Sequence, residues 1–296
     1  MKRSRNRTAA AELGLTIATI LWGTSFAVVK DAVESVPAAH IIAARFGPAA
    51  ILLALVFHGR LNKLTFSDWK AGAFVGLLNL ASYELQTWGA KYTTAGKNAF
   101  LTSIYCVAVP FFYWIAKRQK PGLLSIVSAF LCALGAGVLS LRGNLTASPG
   151  DLLSLGSGFA FAAQIVAVGI LTETRDPILL TITQCAATAL FAAPVALFTE
   201  KTPRVLPARA LLELTYLSVF VTMLAFLLQV VSQKYIRPDR ASLIMSLESV
   251  FGALSGILFL GETASPRTIL GSALIFSAIL LPRIRLPLRP RGLPGS

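Results

Sequence analysis

The sequence predicts an all-α membrane protein of ten transmembrane helices, arranged as two inverted-topology repeats of five. Three observations predict it: ten apolar runs of spanning length, a bias of lysine and arginine toward alternate connections, and an internal similarity between the two halves. Of the 296 residues, 55% are hydrophobic and only 14% are charged, with a mean hydropathy of +0.70. A soluble domain carries roughly a quarter charged residues. Lipid must therefore take the place of water around much of this surface.

A transmembrane helix needs about 20 mostly apolar residues. Runs bounded by charge, proline or glycine fall at about 12–30, 39–58, 70–90, 97–116, 121–141, 149–171, 177–199, 207–233, 239–260 and 266–284. The first follows Met1-Lys2-Arg3-Ser4-Arg5, as a signal peptide would. Its apolar stretch, Leu13 to Val29, is long for a signal sequence and ends in Val28-Val29-Lys30 without a small-x-small cleavage site, so it reads as an uncleaved first span. The fourth and fifth are parted only by the charged turn Lys117-Arg118-Gln119-Lys120-Pro121. The pairs Gly72/Gly76 and Gly252/Gly256, one turn apart, allow close approach of helices. Pro48, Pro110 and Pro194 lie within spans. Each frees the carbonyl four residues earlier (that of Cys106 for Pro110), marking either a bend near a site or a structural kink.

Positive-inside counting sets the direction. With a cytoplasmic N-terminus, 18 of the 27 lysines and arginines fall in inside segments and 8 outside, from Lys30 to Arg267, with Arg45 inside a span. Both termini are then cytoplasmic, as an even number of spans requires. The net charge of +14 thus sits in short loop clusters rather than on one face or stripe, which disfavours nucleic acid as a partner.

A shift of 143 residues lays Gln86 on Gln229, Lys91-Tyr92 on Lys234-Tyr235, Lys97 on Arg240 and Ser103 on Ser246. A shift of 139 lays Trp22 on Phe161, Glu12 on Asp151 and Arg45 on Gln184. The expected domains are a five-helix repeat over 1–147, a second over 148–286, and a Pro/Arg-rich disordered tail over 287–296. Five is odd, so the second copy enters the membrane upside down. Inverted repeats let one fold present two mirror-related gates around a central site, the arrangement of carriers.

Trp22-Gly23, Arg45-Phe46, and Ser246-Leu247-Glu248 running to Leu260-Gly261-Glu262 together resemble the EamA-type branch of the drug/metabolite transporter superfamily. The resemblance covers nearly the whole chain. It implies ten helices in two inverted five-helix repeats and is similar to bacterial amino-acid exporters, the aromatic amino-acid branch among them. One departure stands out: many members have proline directly after the glutamate of the ninth helix, whereas this chain has Ser249. The proline that would kink the helix there is absent.

Ionisable groups inside spans are costly and usually face a cavity or a partner. Arg45, Glu84 and Glu248 are the firm cases. Arg45 reads either as a structural donor where helices cross or as part of the path. Either glutamate could bond structurally or exchange a proton with the path, because removal from water favours a neutral carboxyl. Asn79, Tyr83 and Gln86 share one face of the third helix; Asn98, Thr102 and Tyr105 do so on the fourth, and Thr222, Phe226 and Gln229 on the eighth. Trp22 and Phe26 on the first helix match Phe161 and Gln164 on the sixth. The expected cavity is therefore aromatic, with scattered amides and hydroxyls, walled by helices 1, 3, 4 and 6, 8, 9. Its candidates are Trp22, Phe26, Asn79, Tyr83, Gln86, Tyr105, Phe161, Gln164, Gln229 and Glu248. Such a lining suits a zwitterion with an apolar side chain. The rival reading makes Trp22, Tyr83 and Trp88 packing or interfacial-belt residues.

No enzyme, metal or cofactor is expected. Cys106, Cys132 and Cys185 all fall in apolar runs, giving neither a disulfide framework nor metal spacing. His40 and His58, the only histidines, lie near opposite ends of one helix. Gly89 to Lys97 imitates a phosphate loop, but its glycines are seven apart and Asn98 replaces Ser/Thr. A single in-span arginine disfavours phosphate-bearing substrates. The sequence thus points to a monomeric, multi-pass carrier of the bacterial inner membrane. Its partners are the bilayer and a small-molecule substrate, namely amino acids, aromatic ones among them, or related metabolites, moved outward by alternating access. The rival functions are a broad drug/metabolite exporter, a channel or a membrane-embedded enzyme.

Overall fold

Residues 2–140, 148–202, 205–260 and 266–281 are described by a computed structural model, and among them every regular element is a helix. The tail 287–296 and Gly261-Glu262 lie outside the described residues. Helices occupy all ten apolar runs: one helix in seven of them, a pair in the fourth and ninth, and three consecutive segments in the eighth. In chain order they are α1 (Lys2–Ala32), α2 (Ala38–Val56), the single turn α3 (His58–Leu61), α4 (Phe66–Tyr92), α5 (Ala95–Thr102), α6 (Tyr105–Lys117) and α7 (Leu123–Ser140). The second half holds α8 (Pro149–Leu171), α9 (Pro177–Thr199), α10 (Ala208–Tyr216), a π-helical segment (Leu217–Leu224), α11 (Ala225–Gln233), α12 (Pro238–Met245), α13 (Leu247–Leu260) and α14 (Pro266–Leu280).

Local chemistry explains several starts. The Thr65 hydroxyl accepts from the Asp68 N–H while Asp68 reaches back to the Thr65 N–H, and Ser148 and Asp151 repeat this at α8. Each box satisfies two backbone donors that a helix start leaves open. Asp176 caps α9, with Pro177 pre-set for the first turn.

Among the described residues, six helices are long and apolar enough to cross a membrane: Asn6–Ala32, Ala38–Val56, Lys97–Lys117, Pro149–Leu171, Pro177–Thr199 and Ala208–Gln233. Two more, Leu123–Val138 and Pro266–Leu280, are shorter and apolar. At 27 residues α4 has the length, but Asn79, Glu84 and Gln86 interrupt its apolar run. Leu55, Phe74, Phe130, Phe198 and Leu212 are among many large side chains exposed on the outside of the bundle. A surface so apolar calls for lipid.

The run expected as one fourth helix divides at Ser103-Ile104, and the ninth divides at Ser246. Neither break needs proline. Ser103 Oγ bonds the Phe100 carbonyl at 2.8 Å and Ser246 Oγ bonds that of Ser242 at 2.9 Å. A hydroxyl that back-bonds a carbonyl in this way bends a helix. The two breaks are 143 residues apart. The eighth run is also irregular, its middle turns widened into the π segment.

Packing follows the same exchange of halves. α1 lies on α11 and α13 while α8 lies on α4, α5 and α6; α2 faces α9, and α7 faces α14. Gly72 and Gly76 allow the approach of α4 to α9, since a Cβ on Gly76 would meet Ala187 Cβ at 2.7 Å. Ion pairs gather the helix ends into two faces. On the N-terminal face Glu12 pairs with Arg240, Arg60 with Asp176 (2.6 Å), Asp68 with Arg175 (2.8 Å) and Lys117 with Glu173 (2.6 Å). On the opposite face Asp31 pairs with Arg209 (2.7 Å) and Lys97 with Asp151 (3.5 Å), and Glu200 hydrogen-bonds the His40 ring (3.1 Å).

Candidate functional site

A cavity lies where the two halves meet. From the first half it is lined by Trp22, Ser25 and Phe26 of α1, Tyr83 and Gln86 of α4, Thr102 of α5 and Tyr105 of α6. From the second come Phe161, Gln164 and Ile165 of α8, Phe226 and Gln229 of α11, Met245 of α12 and Glu248 of α13. Every residue of one set has its counterpart in the other. The shift of 143 carries Tyr83, Gln86, Thr102 and Tyr105 onto Phe226, Gln229, Met245 and Glu248, and the shift of 139 carries Trp22, Ser25 and Phe26 onto Phe161, Gln164 and Ile165. The lining thus maps onto itself.

Aromatic rings fill the middle. Tyr83 meets Phe161 edge-on at 5.1 Å and Phe46 at 5.2 Å, Phe46 meets Phe226 at 5.5 Å, and Phe226 meets Trp22 at 5.9 Å. These T-shaped contacts set the positive edge of one ring against the negative face of the next. Trp22 Nε1 donates to the Val221 carbonyl at 3.1 Å, a carbonyl within the π segment. The cavity left among the rings is narrow, about 30 Å³, room for roughly two waters.

Amide clusters bound it at both ends. Toward the N-terminal face, Gln229 Nε2 donates to Gln164 Oε1 (3.2 Å) and Gln233 Oε1 (3.1 Å), and Gln233 Nε2 donates to the Ile165 carbonyl (2.8 Å). Toward the opposite face, Asn98 Nδ2 donates to the Gln86 carbonyl (2.8 Å), and the Thr102 hydroxyl donates to Asn98 Oδ1 (3.3 Å). Beyond this second cluster a small void beside Ser25, Phe26, Gln86 and Asn98 leads to Val29 and Ala90. There Lys30 Nζ donates to the Ala90 carbonyl at 2.6 Å and the Thr93 carbonyl at 3.1 Å, a cation seated on the carbonyl end of α4.

Glu248 is buried in the cavity wall and accepts from the Tyr105 hydroxyl at 2.9 Å. These two are themselves repeat counterparts. Of the sequence candidates, nine line the cavity: Trp22, Phe26, Tyr83, Gln86, Tyr105, Phe161, Gln164, Gln229 and Glu248. Asn79 does not; its Nδ2 donates to Gln184 Oε1 at 3.4 Å between α4 and α9. Glu84 is half-buried, beside Trp88 and Glu200 rather than in the cavity. Arg45 lies behind the wall, 2% exposed, with Nε on Thr222 Oγ1 at 2.8 Å.

Ser25, Thr102, Ile165, Phe226 and Met245 line the cavity without having been among the candidates, although Thr102 and Phe226 stood on the polar stripes of their helices. Ser25 and Ile165 were recoverable, because the shift of 139 pairs them with Gln164 and Phe26. Met245 pairs with Thr102, which already belonged to a polar stripe. Phe46 is the ring joining Tyr83 to Phe226, and only its position next to Arg45 had singled it out.

An apolar helical bundle around an internal cavity that both halves build, bounded at each end by polar contacts, fits a multi-pass membrane transporter. The comparisons agree. The EamA-like transporter family model matches twice, over residues 9–141 and 148–282, and the chain belongs to that family. It is 30% identical over 279 residues to an uncharacterized transporter of Archaeoglobus fulgidus, covering 93% of this chain and 86% of the relative. To the uncharacterized transporter YvbV of Bacillus subtilis it is 25% identical, covering 90% and 89%. A solved crystal structure superposes with a TM-score of 0.76 at 18% identity, covering 93% of this chain and 96% of the other. At that identity it speaks to the fold alone.

Proposed function

We propose that the protein exports amino acids, aromatic ones foremost, across the bacterial inner membrane by alternating access. In this reading ten segments cross the bilayer as two inverted five-helix repeats, over 1–147 and 148–286, with both termini cytoplasmic, and a single monomer suffices. The observation that carries it is the cavity lining that exchanges with itself between the halves. Two related half-sites around one chamber are what a carrier needs to open to either side in turn. The pairing of helix ends across two faces supports the antiparallel arrangement.

The chemistry of the lining supports the substrate class. Edge-exposed rings of Trp22, Tyr83, Phe161 and Phe226 offer an apolar, aromatic slot, and Glu248 and the amides of Gln86, Gln164 and Gln229 offer polar ends. An amino acid is larger than the present cavity, so its entry requires the walls to part. Lys30 on the α4 carbonyls and Glu12 with Arg240 are the contacts that would release on opposite sides.

Counterflow in proteoliposomes tests this. Vesicles preloaded with unlabelled phenylalanine are expected to accumulate labelled phenylalanine transiently. A channel would show no trans-stimulation, and a broad drug exporter would concentrate hydrophobic cations but not the amino acid. Either result would displace the proposal.

A further inference from the structure

The helix packing leaves the charge on Arg45 unexplained. Its Nη2 has no hydrogen-bond partner, and among the described residues no carboxylate pairs with it. The guanidinium instead lies over the Tyr83 ring, 4.5 Å from its centroid, and 5.6 Å from that of Phe46. A cation inside the membrane without a counter-ion is among the costliest groups a helix can carry.

The repeat shows that the fold does not require this charge. Gln184 stands where the shift of 139 places Arg45, and Asn79 where the shift of 143 places Thr222. Gln184 ties α9 to α4 through Asn79, as Arg45 ties α2 to the π segment through Thr222. A neutral amide thus ties one side, and the cation is confined to the other. π segments recur at functional sites. Here the segment presents Thr222 to Arg45.

Tyr83 lines the cavity, and Arg45, which does not, lies over its ring. Tyr83 and Glu248 both line the cavity. The chamber therefore has a cation behind one wall and a carboxyl in another.

We infer that Tyr83, backed by Arg45, forms an anion subsite for the substrate's carboxylate while Glu248 takes its ammonium, so that the chamber selects α-amino acids over the corresponding amines. This rests on the transport reading above. Arg45 is a positioning residue in it: its charge polarises the Tyr83 hydroxyl as a donor and does not touch the substrate.

The test measures binding to purified protein by thermal shift with three probes: phenylalanine, phenethylamine (no carboxylate) and 3-phenylpropionate (no ammonium). Wild type is expected to favour phenylalanine over phenethylamine by about ten- to a hundredfold, the worth of a charge-assisted hydrogen bond. Arg45→Met and Tyr83→Phe should each bring that ratio close to one, and Arg45→Lys should keep most of it. Tyr83→Phe retains the ring packing, so it decides the matter if Arg45→Met does not fold. An unchanged ratio in Tyr83→Phe overturns the subsite while leaving the transport reading intact. Binding of 3-phenylpropionate but not phenylalanine would keep the subsite and remove the amino-acid reading; binding of none of the three removes both. A wild-type ratio near one, with affinity rising as chloride replaces gluconate, would assign the node to a free anion and overturn the proposal.

Discussion

The contact of α1 with α13 at Gly23 offers a test that needs no knowledge of the substrate. A Cβ on Gly23 would lie 2.7 Å from Phe251 Cβ and 2.8 Å from both the Glu248 carbonyl oxygen and the Gly252 nitrogen. Two of these three atoms are backbone, so they cannot swing aside. Gly23→Ala must instead part the helices by about 1 Å, and overpacking of this kind costs roughly 1–3 kcal/mol. Alanine's better helix propensity returns about 0.5–1 kcal/mol. Gly156→Ala in α8 is the control, because its Cβ meets only the flexible end of Leu85 at 3.5 Å. That variant keeps the propensity gain without the clash, so the two should differ by about 1–3 kcal/mol. Thermal unfolding of purified protein is expected to place Gly156→Ala at or above wild type and Gly23→Ala below both. Gly23→Ala should also slow counterflow, because the displaced turn carries Glu248. Equal melting temperatures for the two variants would refute the claim that close backbone approach holds the wall of the cavity.

Tyr83→Ala and Gln229→Ala should each cut phenylalanine counterflow at least tenfold while inserting normally; wild-type rates would remove both from the site. Glu248→Gln is expected to flatten the pH profile of transport, since an amide cannot carry the proton, and an unaltered profile would show that Glu248 is not the proton-carrying group. Lys30→Met loses the donor on the Ala90 and Thr93 carbonyls. A cysteine placed at Ser25 should then label faster from the face that bears Lys30, and an unchanged rate would show that Lys30 does not close that end. Membrane-impermeant labelling should reach cysteines at Lys91 and Lys234 from opposite sides; labelling of both from one side would end the inverted-repeat reading.

Local sequence already contained much of the site. Tyr83 and Gln86 share a helical face, and the shift of 143 ties them to Phe226 and Gln229 before any coordinate is known. The signal works because polar groups inside a spanning run are expensive, so their spacing records which face avoids lipid. It fails for Asn79, which lies on that same stripe yet turns to Gln184. A stripe about one third of the helix wide touches two neighbours, and only packing decides which residue meets which.

The breaks at Ser103 and Ser246 show the same boundary. Serine inside an apolar run is compatible with a continuous helix, and whether its hydroxyl bends the chain depends on what presses against the other side. The π segment has no composition signal; within it Thr222 meets Arg45 and Val221 meets Trp22, contacts 177 and 199 residues apart. What the chain alone determined was the set of apolar runs, the kinship of its halves and the residue types of the lining, because transfer from water to lipid is decided run by run. What the tertiary structure decided was which polar groups converge, how tightly the rings close and where Arg45 rests, because those depend on non-local packing that no linear pattern encodes.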